Sequence, residues 1–472
     1  MNSWRDNCQY ILERKFEMKI LILNGSPKGE NSITLQTCLY LQKLYPEHTF
    51  EALHVGARIK ALEKDFTPAR EALERAEILL FSYPVYTFIA PCQLHRFIEL
   101  LKESGICVAG KFATQISTSK HFYDVTAHNY IRDNCFDLGL KYIPGLSADM
   151  DDLTGEKGQK EAREFLEYVN WCVRQDVYEA FPERLPQPAC VPVTVPEAES
   201  KSAAETKTEA PVAIITDYRP EDVQLQNMIA RFRAVFPEKT KVINIREFPF
   251  KGGCLGCFNC AVSGKCIYTD RFDDFLRNEV ETCKAVVYAF TIQDHCMSPV
   301  FKMYNDRQFC NGHRTVTMGS PVGYLVSGNY SREFNLQMIV EGRAQVGGNF
   351  LAGVATDEKN PDLEIDRMAA KLEYALQHSY TQPQNFYGIG GMKIFRDLIW
   401  LMQGMMRADH KFYKAHGQYD FPQKKWPQML AMYLVGQMIA SPKLKAKIGN
   451  KMNEGMLMPY KKVLDRAEKT EK

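Results

Sequence analysis

Four thiols stand close together in the second half of the chain. Cys254, Cys257, Cys260 and Cys266 are separated by spacers of two, two and five residues. Thiolates at such spacing suit a soft metal centre, either an iron–sulfur cluster or a tetrahedral zinc ion, and the same residues can also stand unmetallated. Gly252, Gly253, Gly256 and Gly264 let the backbone wrap a small body, and Lys251, Lys265 and Arg271 bring charge that favours ionised thiols.

The second stretch with chemistry in it is Met18 to Leu35, MKILILNGSPKGENSITL. Ile20 to Leu23 is an apolar run with no helical period, as a parallel strand covered on both faces requires. The turn Asn24-Gly-Ser-Pro-Lys-Gly29 follows, and Asn31, Ser32 and Thr34 stand where a helix begins. Unpaired N–H groups and the positive end of the helix dipole favour an anion there, and Lys28 adds a full charge. Ser26, Lys28, Asn31, Ser32 and Thr34 are the candidate phosphate ligands; a capped strand-to-helix connection without a ligand is the plainer reading of the same residues.

The order strand, GSPK, two spacers, NS, one spacer, T resembles the phosphate loop of the flavodoxin-like NAD(P)H-dependent FMN reductases, which often carry Arg where Lys28 stands. The compact cysteine spacing is similar to that of the iron–sulfur flavoproteins, in which such a loop holds a 4Fe-4S cluster beside FMN, although the Pro that follows the last Cys of bacterial ferredoxins is absent. The resemblance implies FMN, with its phosphate on the first loop and its ring at Pro84, Val85, Tyr86 and Thr87, closed on the other side by the segment from Ser117 and Thr118 to His121. It implies NAD(P)H as hydride donor and a quinone, a flavin or an iron–sulfur centre as acceptor. Members of the family are often homodimers with the flavin near the subunit boundary. No catalytic residue is assigned, and His121 is read as a surface residue.

Alternation of strands and helices must position these residues. Strands are expected near 20–23, 50–55, 78–83, 112–116 and 142–146, with helices after Leu35, from Pro68, from Pro91, near Tyr130 to Leu138 and from Gln159 to Val173. Such an order gives a doubly wound parallel sheet, order 2-1-3-4-5, with ligands at the carboxyl ends of its strands. After a Pro/Ala/Glu-rich linker the plan repeats in degraded form: Val212 to Ile215, Ala285 to Phe290, Thr315 to Met318 and Leu351 to Thr356 read as strands. There Thr216-Asp217-Tyr218-Arg219 replaces the phosphate loop, and Asp217, Glu221 and Asp222 would repel a phosphate. Phe301 to Arg307 resembles the K-x-F-x-D-R helix of the family, with Tyr304 in place of Phe.

The expected organisation is an N-terminal extension (1–17), an FMN-binding domain (18–180), a linker (181–211), a degenerate domain carrying the cysteine loop (212–380) and a helical region (381–472). That last region has a Gly-rich break at Tyr387 to Gly391 and two apolar stripes, Ile394, Leu398, Leu401, Met405 and Met429, Met432, Val435, Ile439, expected to pack on the second domain or a second subunit.

The 59 basic and 57 acidic side chains nearly cancel, so no global field calls for nucleic acid or an anionic membrane. Fourteen cysteines in 472 residues are too few for a secreted disulfide scaffold, no apolar run spans a bilayer, and residues 1–17 are too charged for a secretory signal. A cytoplasmic flavin oxidoreductase is expected, serving a small-molecule acceptor or a redox protein. The rival is a non-catalytic mononucleotide-binding scaffold or sensor with a structural zinc loop.

Overall fold

The computed structural model describes residues 17–183, 189–196, 211–443, 457–458, 460–461 and 463–466. The expected extension lies outside them except for Glu17, as does most of the linker.

The first sheet is parallel and holds β1 (Lys19–Asn24), β2 (Thr49–Leu53), β3 (Ile78–Pro84), β4 (Phe112–Ser119), β5 (Lys141–Tyr142) and β6 (Leu146–Asp149). Its order is β2-β1-β3-β4-β5, with β6 also on β4. The apolar runs of β1 and β3 are buried on both faces, as their lack of alternation requires. The expected fifth strand is broken in two because Pro144 offers no N–H to the ladder and Gly145 lies against Gln115. Helices α1 (Ile33–Leu44), α2 (Thr67–Arg75), α3 (Cys92–Glu103), α4 (Asp124–Asp137) and α5 (Glu156–Gln175) cover its faces. On α3 the stripe Leu94, Phe97, Ile98, Leu101 is fully buried.

The second sheet repeats the topology with β7 (Val212–Thr216), β8 (Thr240–Asn244), β9 (Ala285–Thr291), β10 (Val322–Ser327) and β11 (Leu351–Thr356), ordered β8-β7-β9-β10-β11. Its helices are α6 (Val223–Val235), α7 (Pro299–Arg307), α8 (Phe334–Gly347) and α9 (Pro361–His378). The strand expected at Thr315 to Met318 is instead a turn, and the strand is β10. β-branched composition drew the reading to the wrong segment: Val316 and Met318 are exposed, while Val322, Tyr324, Leu325 and Val326 are buried. Part of the linker is docked, since the Val191 N–H donates to the Asp357 carbonyl (2.7 Å), Arg231 donates to the Thr194 carbonyl, and Val193 is buried.

The two sheets share one core cluster, and they meet through counterpart elements. α3 packs on α7, and α4 on α8. The turn after β3 bridges Tyr86 to Ile89 with Thr87 and Phe88 at positive φ; the turn after β9 bridges Gln293 to Cys296 with Asp294 and His295 at positive φ. Each turn is held by the opposite domain. Lys302 of α7 donates to the Tyr86 carbonyl (2.9 Å), and Lys102 of α3 pairs with Asp294 (2.8 Å).

The Gly-rich break is in fact helical, within α10 (Phe386–Leu401). Small residues there permit contact: a Cβ on Gly391 would lie 2.8 Å from both Phe122 and Val346, and one on Gly388 would lie 2.5 Å from the Gln345 carbonyl. The inward face of α10 is Met392, Phe395 and Ile399, whereas Leu401 and Met405 of the expected stripe are exposed. The described chain separates into one unit through Phe412 and another from Tyr413. α11 (Arg407–Ala415) spans that boundary, and α12 (Trp426–Ala440) exposes Met429, Met432 and Val435 of the second expected stripe; the Ile439 side chain lies outside the described residues. No helix among the described residues is long and apolar enough to cross a membrane.

Candidate functional site

The loop after β1 is built by its own side chains. Asn24 donates to the Gly29 carbonyl (2.9 Å) and accepts from the Ser26 N–H (3.2 Å), folding the turn back on the strand end. Ser32 caps α1 by accepting from the Leu35 N–H (3.4 Å), which leaves the N–H groups of Ile33 and Thr34 at the open helix end. Lys28 makes no ion pair among the described residues; its Nζ stands 5.5 Å from the centre of the Phe258 ring, in the cysteine loop.

The turn after β3 forms the next wall. Its left-handed Thr87 and Phe88 are costly conformations for residues with a Cβ, by about 1–2 kcal/mol each, and are sustained by contacts from both domains. Thr87 donates to Asp306, the Cys92 N–H donates to the same carboxylate (2.8 Å), and Thr126 donates to the Phe88 carbonyl. Burial pushes the Tyr86 phenol far up, so it presents a neutral ring and hydroxyl. Gly256 fits beneath it only because it lacks a side chain: its φ is +61°, and a Cβ would fall 1.9 Å from the Tyr86 hydroxyl.

These elements enclose one cavity of about 400 Å³. Ser26, Lys28, Ser32, Thr34, Pro84, Val85, Tyr86, Thr87 and Thr118 all line it. Asn31 and Ser117 do not. Asn31 ends a 3-10 turn and faces solvent, and Ser117 lies on the other face of β4 from Thr118, 2.7 Å from His128 Nε2. His121 is half exposed and pairs with Asp124 (2.9 Å). The sequence reading missed Phe88, Phe122 and Met150, and most of the wall from the second domain, including Phe309, His313 and Arg343. The Lys302-x-x-x-Asp306-Arg307 spacing was the available signal for that wall: Lys302 and Asp306 reach the first domain's turn, and Arg307 clamps Asp270 (2.7 and 2.8 Å) while donating to the Gly252 carbonyl at the base of the cysteine loop.

Residues 18–151 match the family model described as NADPH-dependent FMN reductase. Over that span the first domain is similar to the flavodoxin-like FMN reductases. Solved structures similar to the chain include a putative quinone reductase from Klebsiella pneumoniae (16% identity, covering 35% of this chain and 88% of that one, TM-score 0.28). Others are an FMN-dependent NADH-azoreductase from Bacillus anthracis in complex with FMN (14%, 33% and 99%, TM-score 0.27) and an NAD(P)H:quinone oxidoreductase from Methanothermobacter marburgensis (14%, 36% and 100%, TM-score 0.27). No relative among curated proteins matches.

The first domain suits FMN by donor chemistry. Lys28, which makes no ion pair among the described residues, the hydroxyls of Ser26, Ser32 and Thr34, and an open helix end line the cavity together with the Pro84 to Thr87 turn. The second domain lacks the equivalent. Asp217 occupies its loop, buried, accepting from Ser298 and pairing with Arg246 (3.2 Å), so a carboxylate fills the place a phosphate would need.

The cysteine loop departs from expectation. Cys254, Cys257, Cys260 and Cys266 all border the cavity, yet among the described residues no group of three or more His, Cys, Asp or Glu is placed to hold a metal ion. Two of the expected cations are engaged elsewhere. Lys251 donates to Thr269 and Arg271 pairs with Asp274, while burial raises the Cys254 thiol strongly and that of Cys260 to about 11. As folded, the loop's residues serve as cavity wall.

Proposed function

We propose that the chain is a cytoplasmic NAD(P)H-dependent FMN oxidoreductase whose second domain completes the flavin site. The single observation behind this reading is that the phosphate loop and the Pro84 to Thr87 turn line one cavity with the cysteine loop and α7 of the second domain. Ser26, Lys28, Ser32 and Thr34 would hold the phosphate, and Pro84, Val85, Tyr86, Thr87 and Thr118 would frame the ring. Bound FMN supplies hydride chemistry between a nicotinamide and an acceptor. The chain orients the ring through the clasped turn, shields it with Tyr86, Phe88 and Phe309, and keeps the nearby phenol and thiols protonated through burial. The acceptor is a quinone, a flavin or a redox protein. The four cysteines remain the place to look for a cluster, and no step is routed through one. Counterpart helices already meet within one chain, so a second copy is not needed to close the cavity.

Purified protein should be yellow, lose its colour with NADPH under anaerobic conditions and regain it in air. Colourless protein that fails to take up added FMN would end this reading.

A further inference from the structure

Beyond the flavin turn the cavity continues into the second domain, between its sheet and α8. This inner part is walled largely by apolar side chains, and its polar groups include Arg343, Glu281 and three tyrosine hydroxyls. Arg343, on α8, faces the hydroxyls of Tyr288 on β9 and Tyr324 on β10. Those two rings stand 5.2 Å apart. Tyr304 on α7 is fully buried, and its hydroxyl has no hydrogen-bond partner. Arg343 makes no ion pair among the described residues, and its guanidinium lies 6.0 Å from the Phe88 ring, next to the flavin turn.

Buried hydroxyls of this kind stay neutral. Burial pushes the phenols of Tyr288, Tyr304 and Tyr324 upward, so none of them serves as counter-ion to Arg343. A guanidinium without a carboxylate in an apolar pocket is costly, and the cost is relieved by a bound anion that accepts from its fork. Arg343 has no ion-pair partner among the described residues, and Glu281, which accepts from Asn311, also lines the cavity, so the site takes at most a single added negative charge. A phosphate dianion would leave charge uncompensated among apolar walls.

We propose that the inner cavity is the acceptor subsite and selects a flat, apolar molecule bearing one carboxylate, which Arg343 grips while Tyr304 donates to it. The carboxylate end is thus held in the inner cavity between α7 and α8, and the body of the molecule extends toward the flavin turn. Arg343 is a specificity residue here, and the redox meaning of the site rests on the flavin reading given above.

The test is calorimetric binding of 2-naphthoate and of uncharged 2-naphthalenemethanol to FMN-loaded and FMN-free full-length protein. Wild-type protein should bind the carboxylate at least about tenfold tighter than the alcohol, a difference of about 1.4 kcal/mol. Arg343→Gln should abolish that preference, Arg343→Lys should restore part of it, and Tyr304→Phe should weaken only the carboxylate. Equal wild-type affinities, or a preference that survives in folded Arg343→Gln, would overturn the proposal. Should Arg343→Gln fail to fold, the wild-type preference and Tyr304→Phe decide. Failure of the flavin reading looks different: colourless protein that still prefers the carboxylate through Arg343 keeps this site, and yellow protein without the preference loses it.

Discussion

Lys302 Nζ lies 2.9 Å from the carbonyl oxygen of Tyr86, joining a buried cation of the second domain to the turn of the first domain that lines the shared cavity. Both Lys302 and its partner Asp306 are essentially excluded from solvent. Lys302→Met should therefore strand a buried carboxylate and cost about 3–5 kcal/mol, read as a lower thermal midpoint. Adding Asp306→Asn should recover part of that loss. Because both residues hold the strained Thr87 and Phe88 backbone, FMN affinity should fall in the single variant too. A single variant with unchanged midpoint and unchanged affinity would show that the clasp is idle.

This contact explains what the sequence could and could not disclose. The phosphate loop was legible because its determinants are local: Asn24, Ser26 and Ser32 bond within a few residues of themselves. The Pro84 to Thr87 turn was legible in position, but its clasp joins residues 216 apart in sequence, which no periodicity reveals. Two errors were questions of facing. Ser117 and Thr118 alternate across β4, and Asn31 is turned outward by the 3-10 turn before α1. For Cys254 and Cys260 the sequence could not show burial, which raises both thiols despite nearby Lys and Arg.

Lys28 is the one basic side chain of the loop after β1 and has no carboxylate partner among the described residues. Charge-assisted hydrogen bonds contribute about 1.5–3 kcal/mol, so Lys28→Ala should weaken FMN binding by about tenfold or more. Lys28→Arg should retain affinity, since a guanidinium can bond two phosphate oxygens. Fluorescence titration of the stripped protein with FMN measures both. The weakening in Lys28→Ala should shrink at high salt; equal affinities for riboflavin and FMN in wild-type protein would remove the phosphate from the account.

His295 supplies a pH dependence. Burial disfavours its charged form, but Asp137 at 3.1 Å and Glu333 at 3.0 Å outweigh this and raise it from 6.5 to about 10. A pKa raised by folding means that the folded protein keeps a proton the unfolded chain releases. The stabilisation is complete below about 6.5 and is lost as pH climbs toward about 10. The thermal midpoint should fall across that window, and His295→Asn, which tolerates the left-handed backbone at φ 66°, should flatten the fall. A variant whose midpoint declines as steeply as wild type would assign the pH dependence elsewhere.

The cysteine loop yields the most discriminating result. Cys257 is exposed, whereas Cys254 is held between the two domains, its carbonyl accepting from Gln93 (3.3 Å). With the four sulfurs not converging on one ion, Cys257 should alkylate first among the four loop thiols, and Cys254 should stay protected until unfolding. Cys257→Ala should leave the visible spectrum and the thermal midpoint unchanged, because an exposed side chain with no metal to hold contributes little. Iron and zinc measured on anaerobically purified protein check the same point independently. Stoichiometric iron with a broad absorbance that vanishes in Cys257→Ala would mean that the loop closes around a cluster, and the second domain would then be a redox centre as well as a wall.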